Sequence, residues 1–309
     1  MIEHLGKRTV TLSIIIILVI FPFLIRGFWL HLLMEVLILC LFATSLNIVL
    51  GNGGMISFGH AGFYGIGLYF TAALLKSTSI PLPMIIIIAA IASSLAAFII
   101  GFFCVRLRAF YFAILTLAFG QLIWAIIYKW RDLTGGEDGI IGLSIPGYLT
   151  HENHLYFFVL AISIICIGLI YILINSPYGK IMISIRENRD RTECIGVNVN
   201  FHRLVAFVIS GFFSGIAGAL YSLVAGGAFP DLVAWGKSGE VLLSCVLGGM
   251  YTFWGPSLGS LAMILLESTV TSLFVERWPI ILGAIFILVS LGLPNGLLGT
   301  LLERKNRNE

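Results

Sequence analysis

A chain of 309 residues that is 59% hydrophobic and 11% charged is not an ordinary soluble protein, because globular chains are about one quarter charged. The net charge of +3 is too small to point to nucleic acid. The five cysteines (Cys40, Cys104, Cys166, Cys194 and Cys245) are widely separated and form no CxxC pair, so neither a metal, a cofactor nor a disulfide framework is expected.

Taken from the N-terminus, Lys7 and Arg8 precede an apolar run from Thr9 to Ile25 that looks like a signal peptide. No small-x-small cleavage site follows, and the run passes into FPFLIRGFWL, so it reads as a retained first span. Hydropathy predicts helices near 9–26, 29–50, 58–75, 84–105, 109–128, 155–175, 203–226, 239–254, 256–275 and 279–301. The fold class is therefore an all-α polytopic membrane protein of about eight to ten spans, with glycine-broken helices, in one transmembrane domain over residues 1–309. With the N-terminus in the cytoplasm, only Arg26, Lys76, Lys129, Arg131, Lys237 and Arg277 fall outside, leaving 12 of the 18 Lys and Arg inside. That bias makes both termini and the 176–202 loop cytoplasmic and the 129–154 loop external.

The first break is Gly53-Gly-Met-Ile-Ser-Phe58, with Asn47 and His60 beside it. Irregular backbone at membrane depth is tolerated only where protein buries it or water lines it, and polar groups there are functional candidates. Asn47, Gly53, Gly54, Ser57 and His60 are therefore expected on a translocation pathway, although a lone histidine is more often a satisfied core group. Ile56-Ser-Phe-Gly-His60 also sets a serine near a histidine, but a GxSxG elbow needs glycine where Met55 stands, and no HExxH or paired aspartates accompany it. The chain is not expected to be an enzyme. Gln121, with Thr116 on the fifth span, suits either a pathway lining or a bridge between helices. The external loop that follows contains LTGGEDGIIGLSIPGY.

A charged island comes next, SPYGKIMISIRENRDRTECIGVNVNFHRL, with five basic and three acidic side chains between Lys180 and Arg203. Ser184-Ile-Arg-Glu187 fits a capping box, with Ser184 as N-cap. Arg186/Asp190, Glu187/Arg191 and Arg189/Glu193 are opposite charges at i,i+4. Gly196 is placed to end the helix in a left-handed cap. The expected product is a stiff helix of about 11 residues, about 16 Å long, lying outside the lipid. A loop that only needed to be wet would not need these devices; docking onto another protein does.

Gly248-Gly-Met-Tyr-Thr-Phe253 repeats the lettering of the first break, which marks a weak internal repeat and adds Gly248 and Gly249 to the pathway candidates. The sequence leaves parallel and inverted copies open. Gly211-x3-Gly215 and Gly255-x3-Gly259 read as close helix packing. Glu267 lies within an apolar span, while Glu35 and Glu240 are expected near the outer surface. Trp235-Gly-Lys-Ser238 ends like a phosphate-binding loop, but its first glycine would fall at Asp231.

The island and next helix, SPYGKIMISIRENRDRTECIGVNVNFHRLVAFVISGFFSGIAGALYS, resemble LivM-type permeases of branched-chain amino acid ABC transporters. So do SLNIVLGNGGMISFGHAGFYGIG, FAILTLAFGQLI, LTGGEDGIIGL, VLGGMYTFWGPSLGS and LGLPNGLLG, in blocks from about residue 44 to 300. The resemblance implies that RENRDRTECIG is a coupling helix seated on an ATPase. Arg186, Glu187, Asn188, Cys194 (where many relatives carry alanine) and Gly196 would make that contact, and the capping and charge pattern adds Ser184 and Arg191. It further implies a homologous second permease, two ABC ATPase subunits, a periplasmic or lipid-anchored substrate-binding protein, surrounding membrane lipid and a prokaryotic inner membrane. The cargo would be a branched-chain amino acid or a similar small polar solute such as urea or an amide. An ion-coupled secondary transporter is the alternative and requires an indispensable carboxylate, for which Glu267 is the candidate. A membrane scaffold is a further rival and would tolerate bulky residues at the four break glycines.

Overall fold

The computed structural model describes residues 27–273 throughout, together with 18–19, 21–22, 280, 283–284, 287, 292 and 296–300. The spans expected at 9–26 and 279–301 lie largely outside these residues. Apart from a single turn at Arg131–Thr134 and short 3-10 segments, the described helices are α1 (Phe28–Leu50), α2 (His60–Ser77), α3 (Leu82–Cys104), α4 (Ala109–Lys129) and α5 (Glu152–Asn175), then α6 (Pro177–Glu187), α7 (Arg189–Cys194), α8 (Val199–Ala225), α9 (Trp235–Gly248) and α10 (Gly255–Leu273). Five are long and apolar enough to cross a membrane: α1, α3, α5 and α8, and α4 from Phe110.

Beyond His31 and Glu35 in its first turns, helix α1 is apolar on nearly every side, and it is the most enclosed of these five. Helix α8 packs against α1, α2 and α3, and α10 and α9 close the other flank of α1. On the outside, Ile87, Ile91, Leu95, Phe98 and Phe102 form an exposed stripe on α3 at helical spacing, and Ile165, Leu169 and Ile172 form another on α5. Such faces suit lipid, where no backbone group can be left unpaired and only complete helices or closed barrels fit.

Hydrophobic burial does not drive helix against helix in lipid, so close packing of small residues must. A methyl group on Gly67 would collide with the Gly215 backbone, and one on Gly218 with Tyr64 O, which brings α2 and α8 nearly backbone to backbone. Gly255 and Gly259 likewise lie against the backbone of the 244–249 stretch, as the small-residue spacing predicts.

Two features depart from the expected elements. Helix α9 has 14 residues where a span was expected, and about 21 Å of helix is short of a bilayer core of about 30 Å. It begins inside the bundle because the preceding segment folds back along α2: Val233 abuts Gly65, and Ser238 Oγ accepts from the Ala61 amide at 2.8 Å. The second feature is a short antiparallel ladder pairing Ile140 with Ala228 and Ile141 with Gly227. It ties the 129–154 loop to the turn after α8.

Candidate functional site: the charged junction and the two glycine breaks

The island forms two helices with a break between them, not one capped rod. Pro177 at the first helical position starts α6 well before Ser184, because its fixed φ suits that place and its missing N–H is not needed there. Ser184 therefore lies inside a helix, and its hydroxyl donates to Lys180 O at 3.1 Å. An N-cap needs non-helical backbone, so the Ser184–Glu187 capping box does not form. Asn188 takes the role instead. Its extended backbone (φ −156°, ψ 103°) ends α6, and its Oδ1 accepts the Arg191 amide at 2.9 Å to start α7.

That break decides which charge pairs survive. Arg189 and Glu193 lie within α7 and meet at 3.2 Å. Arg186/Asp190 and Glu187/Arg191 straddle Asn188, and neither forms an ion pair among the described residues. Gly196 ends α7 as expected: at φ +90° its amide reaches Glu193 O at 3.0 Å, while the Val197 amide reaches Thr192 O at 3.4 Å. The Thr192 hydroxyl donates to Ser184 O at 3.0 Å, which folds α7 back onto α6. Met182 and Ile185 are buried under the junction, and Cys194 and Ile195 are exposed.

Freed from Asp190, Arg186 points into the bundle. Its Nη1 donates to Gly51 O at 2.5 Å, its guanidinium lies 5.0 Å over the Tyr251 ring, and Glu187 is 4.0 Å from Nη2. Gly51 caps the helix that leads into the first break and Tyr251 lies in the second, so a single side chain links both. The breaks also touch directly, because Met250 O occupies the place a Cβ on Gly51 would take. Helices α1 and α9 both approach from the opposite end of the bundle, with Cys245 Sγ donating to Ala43 O at 3.3 Å, so the two copies run parallel. Gly54 (φ +64°) and Gly249 (φ +110°) hold left-handed turns that a side chain would strain. Gly54 additionally abuts Arg186, Gly53 abuts Met182, and Gly248 abuts Gly255 O. Bulky residues at these positions fail on steric grounds alone, so they do not separate a pathway from a scaffold.

The polar candidates divide. His60 is fully buried, with Nδ1 2.8 Å from Ser57 Oγ and Nε2 2.7 Å from Ser210 Oγ, and Ser210 in turn donates to Ser45 O at 2.6 Å. This network pins the start of α2 to α8 and α1, and no solute reaches the Ser57–His60 pair as the molecule stands. Asn47 Oδ1 is buried beside Gly51 with no hydrogen-bond partner among the described residues. Gln121 is half-buried on α4, away from the junction, while Thr116 accepts the Phe58 amide at 3.3 Å and braces the first break.

Two groups were not singled out by motif. Arg203 is buried, donates from Nη1 to Val105 O at 2.7 Å and Leu107 O at 3.2 Å, and its Nε meets Met55 Sδ at 2.8 Å. It joins α8, the α3–α4 turn and the first break. Glu35 and Glu240, expected near the outer surface, converge with Lys237 and Glu267 on one cavity. Their isolation in separate apolar runs was the available signal.

A family model described as "Branched-chain amino acid transport system / permease component" matches residues 28–290. The high-affinity branched-chain amino acid transport system permease protein LivM of Escherichia coli is 26% identical over 94% of this chain and 75% of its own. The permease protein BraD of the corresponding Pseudomonas aeruginosa system is 26% identical over 84% of this chain and 91% of its own. The nucleoside ABC transporter permease protein NupC of Lactococcus lactis is 27% identical over 43% of this chain and 36% of its own. No solved structure matches the chain.

Proposed function

Since the chain belongs to the branched-chain amino acid transport system permease family and is a multi-pass permease subunit of an ABC importer, we propose how its junction couples to a motor. Two cytoplasmic ATPase subunits engage α6, α7 and the Gly196 turn, and a homologous second permease completes the pathway. A periplasmic or lipid-anchored binding protein delivers a branched-chain amino acid or similar small polar solute to the 129–154 side. Pathway roles for Asn47, Gly53, Gly54, Ser57, His60, Gln121, Gly248 and Gly249 belong to this reading. His60 and Ser57 contribute by fixing α2; Gly53, Gly54, Gly248 and Gly249 contribute by letting the breaks meet.

The observation that carries the reading is Arg186 lying across both breaks at Gly51 and Tyr251. ATP-driven closure of the motor moves α6. Because Arg186 grips a carbonyl of one repeat and an aromatic face of the other, the two repeats receive the displacement together. A guanidinium suits this task, since its planar fork hydrogen-bonds and stacks at once and a lysine does not.

The test combines two variants in the assembled transporter. Reversing Glu187 and Arg191 together removes ATPase association and solute uptake. Arg186→Lys leaves ATPase association intact and lowers uptake with ATP hydrolysis retained. Wild-type association and uptake in the double reversal would overturn the docking assignment, and wild-type uptake in Arg186→Lys would overturn the linkage through Arg186.

A further inference from the structure

A cavity of about 120 Å3 opens where α1, α2, α8, α9 and α10 meet, lined among others by Glu35, Tyr64, Tyr221, Lys237, Glu240 and Glu267. Glu35 lies two turns into α1, about 10 Å along the helix from its start. None of these residues belongs to the charged junction or to the glycine breaks.

Its charges do not balance. Lys237 Nζ lies 2.8 Å from both carboxylate oxygens of Glu240, so that pair satisfies itself. Glu35 receives the Tyr221 hydroxyl at 3.5 Å, with the half-exposed His31 Nε2 at 3.6 Å. Glu267 has neither a hydrogen bond nor an ion pair among the described residues. Tyr64 is 1% exposed and stacked on Phe42 at 4.7 Å, yet its hydroxyl also has no hydrogen-bond partner among those residues. Carboxylates without a cation of their own at membrane depth are costly, and the Tyr64 side chain lines the same cavity with an oxygen free to accept.

We propose that this cavity binds a monocationic group, which offsets one of the two surplus carboxylate charges, and that a primary ammonium is the occupant its acceptors suit. An ammonium carries three N–H donors. Glu35, Glu267 and the Tyr64 oxygen are three acceptors, and Lys237–Glu240 forms the neutral remainder of the wall. The volume admits the ammonium head with the carbon that bears it, since one liquid water occupies about 30 Å3. As to its source, the inference rests on the permease reading, in which a transported amine passes this point. An alkali cation shares the single charge but has no directional donors.

The experiment measures the thermal midpoint of the full-length chain in detergent against three chlorides at equal ionic strength. These are isoamylammonium, sodium and tetramethylammonium, the last a cation without donors. Isoamylammonium raises the midpoint of the wild type in a saturable way, and tetramethylammonium does not. Glu35→Gln and Glu267→Gln each weaken the apparent affinity about ten-fold, as expected for a lost hydrogen bond to a charged group. Tyr64→Phe, which removes one oxygen and keeps the ring, weakens it less and guards against misfolding of the other two. A saturable sodium shift that is lost in the same variants supports the site and makes its source a free alkali ion. No saturable shift with either, or one undiminished in all three variants, overturns the proposal. That failure, in a chain that still supports ATP-driven uptake, leaves the permease reading untouched.

Discussion

At the residue scale, where a helix starts is decided by the backbone that precedes its candidate cap. A Ser-x-x-Glu pattern is a local rule, and it holds only if the backbone before the serine is not already helical. Pro177 makes it helical, which no inspection of Ser184–Glu187 alone reveals. Two single substitutions separate the assignments. Asn188→Ala removes the acceptor of the Arg191 amide and costs about 1 kcal/mol of local stability, the usual worth of an N-cap. Ser184→Ala removes one exposed bond within α6 and stays within about 0.5 kcal/mol of wild type. Amide hydrogen exchange over residues 189–194 checks both, with faster exchange in Asn188→Ala only. The reverse ranking restores the capping box.

At the element scale, the long apolar helices were legible because their composition alone sets them. The boundaries expected for α1, α4 and α5 fall within a few residues of those observed. What hydropathy could not supply was depth. Helix α9 carries enough apolar residues to read as a span, and only the contacts of Val233 and Ser238 with α2 show that it starts inside the bundle. The repeat was visible in its lettering, but its orientation needed the third dimension, where Met250 O meets Gly51. Glycine spacing foretold close packing, and its cost can be measured. Gly67→Ala must push α2 away from the Gly215 backbone and destabilises by about 1–3 kcal/mol. Gly168 on α5 has nothing within 4 Å of a Cβ, so Gly168→Ala is neutral or gains up to about 1 kcal/mol from helix propensity. Thermal midpoints of the two variants in detergent move in opposite directions or, at the least, by clearly different amounts.

At the scale of the whole molecule, one orientation must serve every loop at once. The 51–59, 105–108, 176–198 and 249–254 segments gather at one end, joined by Arg186 to Gly51 and Tyr251 and by Arg203 to Val105 and Met55. The β ladder between residues 140–141 and 227–228 holds loops at the opposite end. The positive-inside rule leads us to propose that the Arg186 end faces the cytoplasm, since Arg106, Arg108, Lys180, Arg186, Arg189, Arg191 and Arg203 gather there, against Lys76, Lys129, Arg131 and Lys237 elsewhere among the described residues. Cysteine chemistry reads this directly. Cys194 is exposed on α7, whereas Cys40, Cys104, Cys166 and Cys245 are buried. A membrane-impermeant maleimide therefore labels one thiol per chain in inside-out vesicles and none in intact spheroplasts, and Cys194→Ala abolishes the signal. Labelling of Cys194 in spheroplasts would place α6 and α7 outside, where no ATPase can reach them, and would overturn the coupling scheme whatever the family. Adding the ATPase partners to inside-out vesicles supplies the second half of the argument. If they seat on α7 they shield Cys194, and the labelling rate falls. An unchanged rate leaves the orientation standing and removes α7 from the contact.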